Sequence, residues 1–264
     1  EYDVLRRTAA AEGGLLRKAY NAANWRKLRT EERRAWAQFD GCTLTSQRDR
    51  ELLLEDAPCV RSAVVPNGVD ITHFAPDPHT SVEPDSILFF GALNYYPNTE
   101  GVLFFLRHVL PKLKLRRPLV RVRIVGQRVP HEIASWRDPA VEVVGYVDDV
   151  RPHIARAAVV IVPLRIGGGT RLKVLEAMAM EKAIVSTPLG VEGIDVENGR
   201  EVLVGAEADS LVEELVTVLG SRDLAGRLGT AAGELVRARY SWHASAARLS
   251  EFHEEMTTAP APHE

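Results

Sequence analysis

The segment Pro163-Leu-Arg-Ile-Gly-Gly-Gly-Thr-Arg-Leu-Lys-Val-Leu-Glu-Ala-Met-Ala-Met180 gathers residue types that can hold an anion. A β-branched run ends at Leu164, the glycines Gly167, Gly168 and Gly169 follow, and a helical pattern opens at Arg171 with Thr170 placed to cap it. Strand, glycine loop and helix N-terminus in that order let backbone N–H groups approach a phosphate, and the helix dipole adds about half a positive charge there. Arg171 and Lys173 stand in the first helical turn, where the dipole disfavours cations, so an anionic ligand accounts for their placement. Glu176, one turn further along an otherwise apolar helix, is suited to accept hydrogen bonds from two vicinal hydroxyls, as on a ribose. Two plainer readings stand beside that one: an ion pair with Lys173, or a carboxylate at the helix edge.

Other candidates lie where predicted strands end, the place where open α/β sheets bind ligands. Gly91, Gly126 and Gly145 each close a β-branched run, and Tyr146 and Val147 follow the third. Taken singly, strand-end glycines serve turns more often than ligands. Asp148-Asp149 resembles a metal-binding acidic pair, but an Asp before a helical stretch with Pro152 in its first turn is better read as an N-cap. The eight histidines show no metal-ligand spacing, and His153, His243 and His253 read as surface or packing residues. No metal and no cofactor are expected.

These residues need a sheet to position them. From Ser86 onward, short β-branched runs alternate with amphipathic stretches, the βαβ pattern of a parallel sheet. Strands are predicted at Ser86–Leu93, Val120–Gly126, Val141–Val147, Val159–Leu164, Ala183–Thr187 and Glu201–Val204. Helices are predicted at Asn98–Arg117, Asp148–Ala157, Arg171–Met180, Asp209–Leu219, Asp223–Arg239 and Trp242–Met256. The first quarter differs: a long helix Gly14–Phe39, a strand Cys42–Thr45, a helix Gln47–Leu54, then Ala63–Val65 leading into Pro66-Asn-Gly-Val-Asp70, which is linker and turn chemistry. The expected architecture is α/β, a doubly wound, parallel-sheet Rossmann-like domain with a partial second domain. Its divisions are 1–65, the end of an incomplete first domain; 66–240, the Rossmann-like domain; 241–256, a helix crossing back to the first domain; and 257–264, a frayed tail. The chain opens at Glu1 without a Met and runs at once into an Arg-rich stretch from Tyr2 to Phe39, so it reads as entered midway.

With 264 residues, 45% of them hydrophobic and 26% charged, the chain can bury a sizeable core. A net charge of −3 with interspersed basic residues argues against nucleic acid as a partner. Cys42 and Cys59 lie among aliphatic residues without CxxC spacing and read as buried, reduced thiols in preference to a disulfide or metal pair, which points to the cytoplasm. No stretch approaches the roughly 18 apolar residues of a membrane span, and none resembles a signal peptide. Arg17, Lys18, Arg26, Lys27, Arg29, Arg33 and Arg34, with Trp25 and Trp36, make the long helix basic. Because Glu31 and Glu32 interrupt that face, a solvated surface is preferred, with peripheral membrane contact kept as a second reading.

Followed by Glu181-Lys-Ala-Ile-Val-Ser-Thr-Pro-Leu-Gly-Val-Glu-Gly-Ile194, the segment from Pro163 resembles the donor-site signature of retaining glycosyltransferases of family 4. Pro66–Asp70 and Phe90-Gly-Ala-Leu-Asn-Tyr-Tyr-Pro-Asn98 resemble that family too, and the similarity runs over essentially the whole chain. The resemblance implies a GT-B fold, a nucleoside-diphosphate sugar bound in an interdomain cleft, a glycan or lipid-linked acceptor, and metal-independent transfer with retention of configuration. It makes Glu176 the second residue of the family's paired-glutamate motif, the one that holds the donor ribose. The first glutamate is replaced by Gly168, or by Gly167 if the motif is aligned from Pro163. The Arg and Lys that many relatives carry after the first strand are absent from Gly91–Asn98, with Arg171 and Lys173 as substitutes. Glu181 and Ala183 stand where Gly and Pro are common. The backbone of Tyr146 and Val147 would face the base, and Gly91 the phosphates.

The stretch Glu1-Tyr-Asp-Val-Leu-Arg-Arg7, the basic helix and Asp40-Gly-Cys-Thr-Leu-Thr-Ser46 resemble the close of the family's acceptor domain. The histidine that relatives carry just upstream would fall before residue 1, so no catalytic residue is assigned. The chain is therefore expected to carry the donor half of a retaining glycosyltransferase and to be inactive alone. Arg171, Lys173 and the Gly167–Thr170 amides would stabilise the leaving diphosphate. A non-catalytic nucleotide-sugar-binding module is the alternative. A sugar-nucleotide epimerase is a more distant one, for which no acid/base carboxylate pair stands out.

Overall fold

Strands buried on both faces read as continuous runs of Val, Ile, Leu and Phe, and they need helices above and below to cover them. The computed structural model describes Asp3, Leu5, Arg6 and residues 14–258, with backbone alone at 15–17. The rest of Glu1–Arg7 and the tail from residue 259 lie outside the described residues. Two compact units divide the chain. One takes the described residues through Gly68, Gly167–Thr170 and the described residues from Trp242; the other is Val69–Ile166 with Arg171–Ser241.

The first unit begins with α1 (Leu15–Trp36), followed by β1 (Cys42–Leu44), α2 (Gln47–Asp56) and β2 (Ser62–Val64). The strands pair in parallel, Cys42 opposite Ser62, with α2 as the crossover. Ser46 caps α2, its hydroxyl accepting from the Asp49 N–H at 3.1 Å. Arg29 of α1 grips Asp56 at the end of α2, Nε donating to Oδ2 at 2.8 Å. The apolar residues of α1 are not segregated on one face, whereas an interfacial helix sinks an apolar side among lipid headgroups. No helix among the described residues is long and apolar enough to cross a membrane. Cys42 is half-buried, but Cys59 is exposed. The expectation of two buried thiols fails at Cys59, because the turn after α2 carries it outward despite its apolar neighbours.

The second unit is built on β3 (Ser86–Phe90), β4 (Arg121–Val125), β5 (Val141–Gly145), β6 (Val159–Val162), β7 (Ile184–Ser186) and β8 (Leu203–Val204). All pair in parallel in the order β5-β4-β3-β6-β7-β8. The chain starts at β3, winds out to β5, then returns to β6 on the other side of β3, so the strand order reverses between β3 and β6. Alternation sends Ile87 and Phe89 into one core and Leu88 and Phe90 into the other. Each predicted strand is found, shorter than its apolar run. Gly91 at φ +144° and Gly145 at φ +83° turn the chain out of β3 and β5, so Leu93 and Val147 leave the sheet.

The predicted helix Asn98–Arg117 is interrupted. α3 (Tyr96–Phe104) passes through a π-helical turn, Phe105–Val109, into α4 (Leu110–Arg116). Pro111 supplies no N–H to the carbonyl four residues back and crowds it, and the wider turn absorbs the conflict. The remaining helices are α5 (His131–Ala134), α6 (Arg151–Arg156), α7 (Leu172–Ala179), α8 (Ala208–Leu219), α9 (Arg222–Arg239) and α10 (Trp242–Thr258). Both α5 and the 3₁₀ turn Pro188–Val191 are absent from the sequence reading. Thr257 and Thr258, assigned to a frayed tail, continue α10.

α10 seats on two glycines of its own unit. A Cβ at Gly41 would lie 2.9 Å from Phe252 Cζ, and one at Gly68 would lie 2.7 Å from the Trp242 ring. Phe252 is buried and Leu249 half-buried, while Trp242 and Ala246 remain exposed.

Two glycines in α9 make opposite tests of packing. Nothing approaches a Cβ at Gly226, whereas one at Gly229 would overlap the Glu181 carbonyl at the end of α7. Gly226→Ala should stabilise by about 0.8–1 kcal/mol through helix propensity. Gly229→Ala should destabilise by roughly 1–3 kcal/mol, because overpacking outweighs that gain. Urea denaturation of the two variants checks this, and equal shifts would contradict the close approach of α9 to α7.

Candidate functional site

The reversal of strand order between β3 and β6 opens a crevice at the C-terminal ends of those strands. The loop after β3 begins at Gly91, and the one after β6 runs through Pro163 to Ile166. α3 approaches β6 closely because Gly101 has no side chain: a Cβ there would lie 2.8 Å from the Pro163 carbonyl oxygen. Thr187 reinforces the end of β6, its hydroxyl donating to the Leu164 carbonyl and accepting from the Gly190 N–H at 3.1 Å.

Among the expected site residues, the structure brings Gly91 and Lys173 together. Lys173 Nζ passes beneath Gly91, where a Cβ would lie 2.6 Å from it. The ammonium donates to Asn98 Oδ1 at 2.7 Å and stands 4.4 Å from the centroid of the Phe89 ring. Asn98 Nδ2 in turn donates to the Ala92 carbonyl at 2.7 Å. Burial, then the nearby Arg171 charge, pushes the Lys173 amine down from 10.5 to about 7, with Glu176 opposing the shift. Lys173 as a whole residue is half-buried, and desolvation of its amine is the largest cause of the shift.

Three expectations change here. Thr170 does not cap α7: Arg171 is the N-cap, held extended at ψ 98°, and makes no side-chain cap bond. The helix therefore opens at Leu172, one residue later than expected, and Arg171 precedes the first turn. Thr170 Oγ1 is buried without a hydrogen-bond partner. Second, Glu176 forms no ion pair with Lys173, whose amine is turned to Asn98. The Glu176 carboxylate is half-buried on α7, and burial raises its pKa while Lys173 lowers it. Third, Gly91 and Gly126 have committed N–H groups, Gly91 to the Val125 carbonyl at 3.0 Å and Gly126 to the Gly145 carbonyl at 2.8 Å. They supply close approach instead of donors, since a Cβ at Gly126 would overlap the Gly91 carbonyl.

Tyr146, directly after β5, is exposed, and Val147 packs partly against the second core. Gly167 at φ +111° and Gly169 at φ +78° require glycine, and Gly167–Thr170 group with the first unit, whereas Arg171 begins a segment of the second. Asp149 acts through capping-type bonds, but one residue earlier than a regular N-cap: Val150 holds that place, and Asp149 accepts from the Arg151 N–H at 3.0 Å and from its guanidinium at 2.8 Å. Those bonds hold its carboxyl below the usual range. Burial, with Arg123 and Arg156 nearby, lowers His153. Among the described residues no group of three or more His, Cys, Asp or Glu is arranged to hold a metal.

Asn98 is the residue that sequence reasoning missed. Its signal was a buried-pattern Asn one residue after Pro97, in a helix otherwise opening into Val102, Leu103 and Phe104. Nearby, Arg165 meets Glu100 at 3.3 Å and stacks over Phe104, 4.5 Å from its centroid. Taken together, the second unit offers a desolvated cation and a half-buried carboxylate on one helix at the strand ends. Such an arrangement suits a ligand carrying both anionic and hydroxyl groups.

The family model described as Glycosyl transferases group 1 matches residues 84–221. The phosphatidyl-myo-inositol mannosyltransferase of Mycolicibacterium smegmatis is 31% identical over 209 residues, 74% of this chain and 52% of that protein. TarM superposes with a TM-score of 0.73 at 14% identity, over 88% of this chain and 46% of TarM. HepE of Anabaena, solved with UDP and glucose, gives 0.63 at 15% identity, over 83% of this chain and 63% of HepE. At these identities the structural likeness carries the fold alone, which is α/β of the GT-B type. The chain spans about half the length of the curated relatives it matches.

A depressed lysine makes a signed prediction. Between about 7 and 10.5 the unfolded chain holds a proton at Lys173 that the folded chain has released, so this residue's contribution to stability rises with pH across that window. Lys173→Met should therefore stabilise the free protein most near pH 6, with the advantage shrinking toward pH 10.5. Denaturation of both proteins at several pH values measures it, and a difference independent of pH would show that the ammonium is not desolvated.

Proposed function

The chain belongs to the group 1 glycosyl transferases, and on that premise we propose that it carries the nucleotide-sugar donor site of a retaining, family 4 enzyme that glycosylates a glycan or lipid-linked acceptor. The observation that carries this reading is the Lys173 ammonium, buried at the reversal point of the sheet with Arg171 beside it and only Glu176 as an opposing charge. Two cations in a desolvated place raise each other's cost, and a dianionic diphosphate relieves it. In the reaction, negative charge grows on the leaving diphosphate as the bond to the anomeric carbon breaks. Lys173 and Arg171, already fixed, would stabilise that charge without solvent reorganisation.

Glu176 takes the ribose hydroxyls, and the Tyr146–Val147 backbone the base. Two relatives support the choice of ligand: HepE is described in complex with UDP and glucose, and the M. smegmatis protein is named a mannosyltransferase. A second reading, a nucleotide-sugar-binding module without catalysis, draws on Gly168, or Gly167 if the motif is aligned from Pro163, standing where the family's first glutamate would be.

Thermal stabilisation by UDP, GDP, ADP and their sugars tests the donor site. A ligand at 100 times its dissociation constant should add about 2.7 kcal/mol. Stabilisation by none of them removes the proposal. Because the protein's own cations neutralise the diphosphate in this reading, EDTA should leave the stabilisation unchanged, and collapse of binding in EDTA with recovery in Mg²⁺ or Mn²⁺ would reassign the role of Arg171 and Lys173.

Glu176→Gln should leave the fold intact and weaken nucleotide binding by roughly 10- to 150-fold, the worth of a charge-assisted hydrogen bond. Equal calorimetric affinities for wild type and variant would end the ribose assignment.

A further inference from the structure

The partners of Lys173 share one property: Asn98, Phe89 and the Gly91 backbone above it carry no net charge. Buried lysines are usually matched by a carboxylate, which supplies hydrogen bonds and cancels the charge together. Here the two jobs are separated. The Asn98 amide accepts one N–H of the ammonium and leaves its charge uncancelled, and the Phe89 ring face attracts the cation in the same way. The charged groups acting on Lys173 are Arg171, of like sign, and Glu176, which makes no hydrogen bond to it.

Asn98 is itself fixed. It is 6% exposed, and because Nδ2 is tied to the Ala92 carbonyl, Oδ1 can only face Lys173. An aspartate at this position would repel that carbonyl and cancel the cation; a leucine would leave both the carbonyl and the ammonium unsatisfied.

We propose that Asn98 is a positioning residue for the donor diphosphate: it holds the Lys173 ammonium beneath Gly91 as an uncancelled charge, with its remaining N–H groups free to meet phosphate oxygens. This rests on the donor-site reading above. Donor binding is then coupled to protonation of one amine, and Asn98 sets where that protonation falls.

The experiment uses the full chain, with Asn98→Asp, Asn98→Ala, Lys173→Met and the Asn98→Ala/Lys173→Met pair. Without ligand, NMR of isotope-labelled lysines follows the Lys173 titration, the resonance being identified by its loss in Lys173→Met. With UDP and with pyrophosphate as probes, calorimetry follows affinity against pH. In the wild type, affinity should fall by up to about tenfold per pH unit above a break near 7. Asn98→Asp should move both the titration and the break upward by a unit or more, and weaken UDP binding about tenfold at pH 6.5, since its carboxylate competes with the diphosphate. Asn98→Ala should move the break downward. Lys173→Met should abolish the break, and adding Asn98→Ala to it should cost nothing further.

Asn98→Asp keeps the side-chain shape, so the result does not depend on the truncated variant folding. Unchanged lysine titrations in both Asn98 variants, or an equal loss from Asn98→Ala with and without Lys173, would overturn the proposal. Failure of the wild type to bind either probe or any nucleotide sugar would remove the donor-site reading, and the ligand-free titration would still decide whether Asn98 governs Lys173.

Discussion

The pairing of β3 with β6, through Ile87 with Val159 and Leu88 with Val160, is the constraint on which the second unit turns. β3 is buried on both faces and is the first strand of the sheet, so the chain can extend it on only two sides. It takes one side with β4 and β5 and must cross over to take the other. That crossover splits the apolar residues into two cores, one reached by Ile87 and Phe89, the other by Leu88 and Phe90. It also forces the loops after β3 and β6 to diverge, which leaves a gap at their ends. Phe89, second from last in β3, therefore serves both as core and as the surface on which Lys173 rests.

At that gap the electrostatics run against stability and toward ligand. Burial of the Lys173 ammonium beside Arg171 is unfavourable for the free protein, and the neighbouring neutral groups orient the charge without offsetting it. Folded proteins tolerate such local costs where the surrounding packing determines the position completely. Here the Gly101 approach to Pro163, the Gly126 approach to Gly91 and the Thr187 bond to Leu164 provide that determination.

How much of this was legible in the sequence depended on the range of the interaction. Strands such as Val159–Val162 announce themselves, because burial on both faces demands an unbroken apolar run, and the glycine loop with Glu176 behind it was visible as a local motif. Cap placement was not: Thr170 is the better capping residue type, and only the extended backbone of Arg171 decides against it. Pro111 was present in the sequence, but whether it ends a helix or widens one into a π-turn depends on what packs around it. Least legible was the joining of Lys173 to Asn98, far apart in the chain, because Lys173 signals an anion but no partner, and Asn98 alone reads as an ordinary helix-end polar group. Cys59 erred for the same reason, since its neighbours' types say nothing of which way a turn faces.

The first unit takes its pieces from both ends of the chain: the early βαβ segment and α10 belong to it, and nearly all of the second unit lies between them in sequence. A ribosome making this chain therefore produces the seat at Gly41 and Gly68 long before the helix that fills it. At roughly 5–20 residues per second, the wait lasts on the order of ten seconds. During that time the second unit can fold as it emerges, while the seats that Phe252 and Trp242 will fill at Gly41 and Gly68 stand empty. Order of synthesis and order of completion thus differ, and the βαβ segment that precedes the second unit is finished only after that unit has been made.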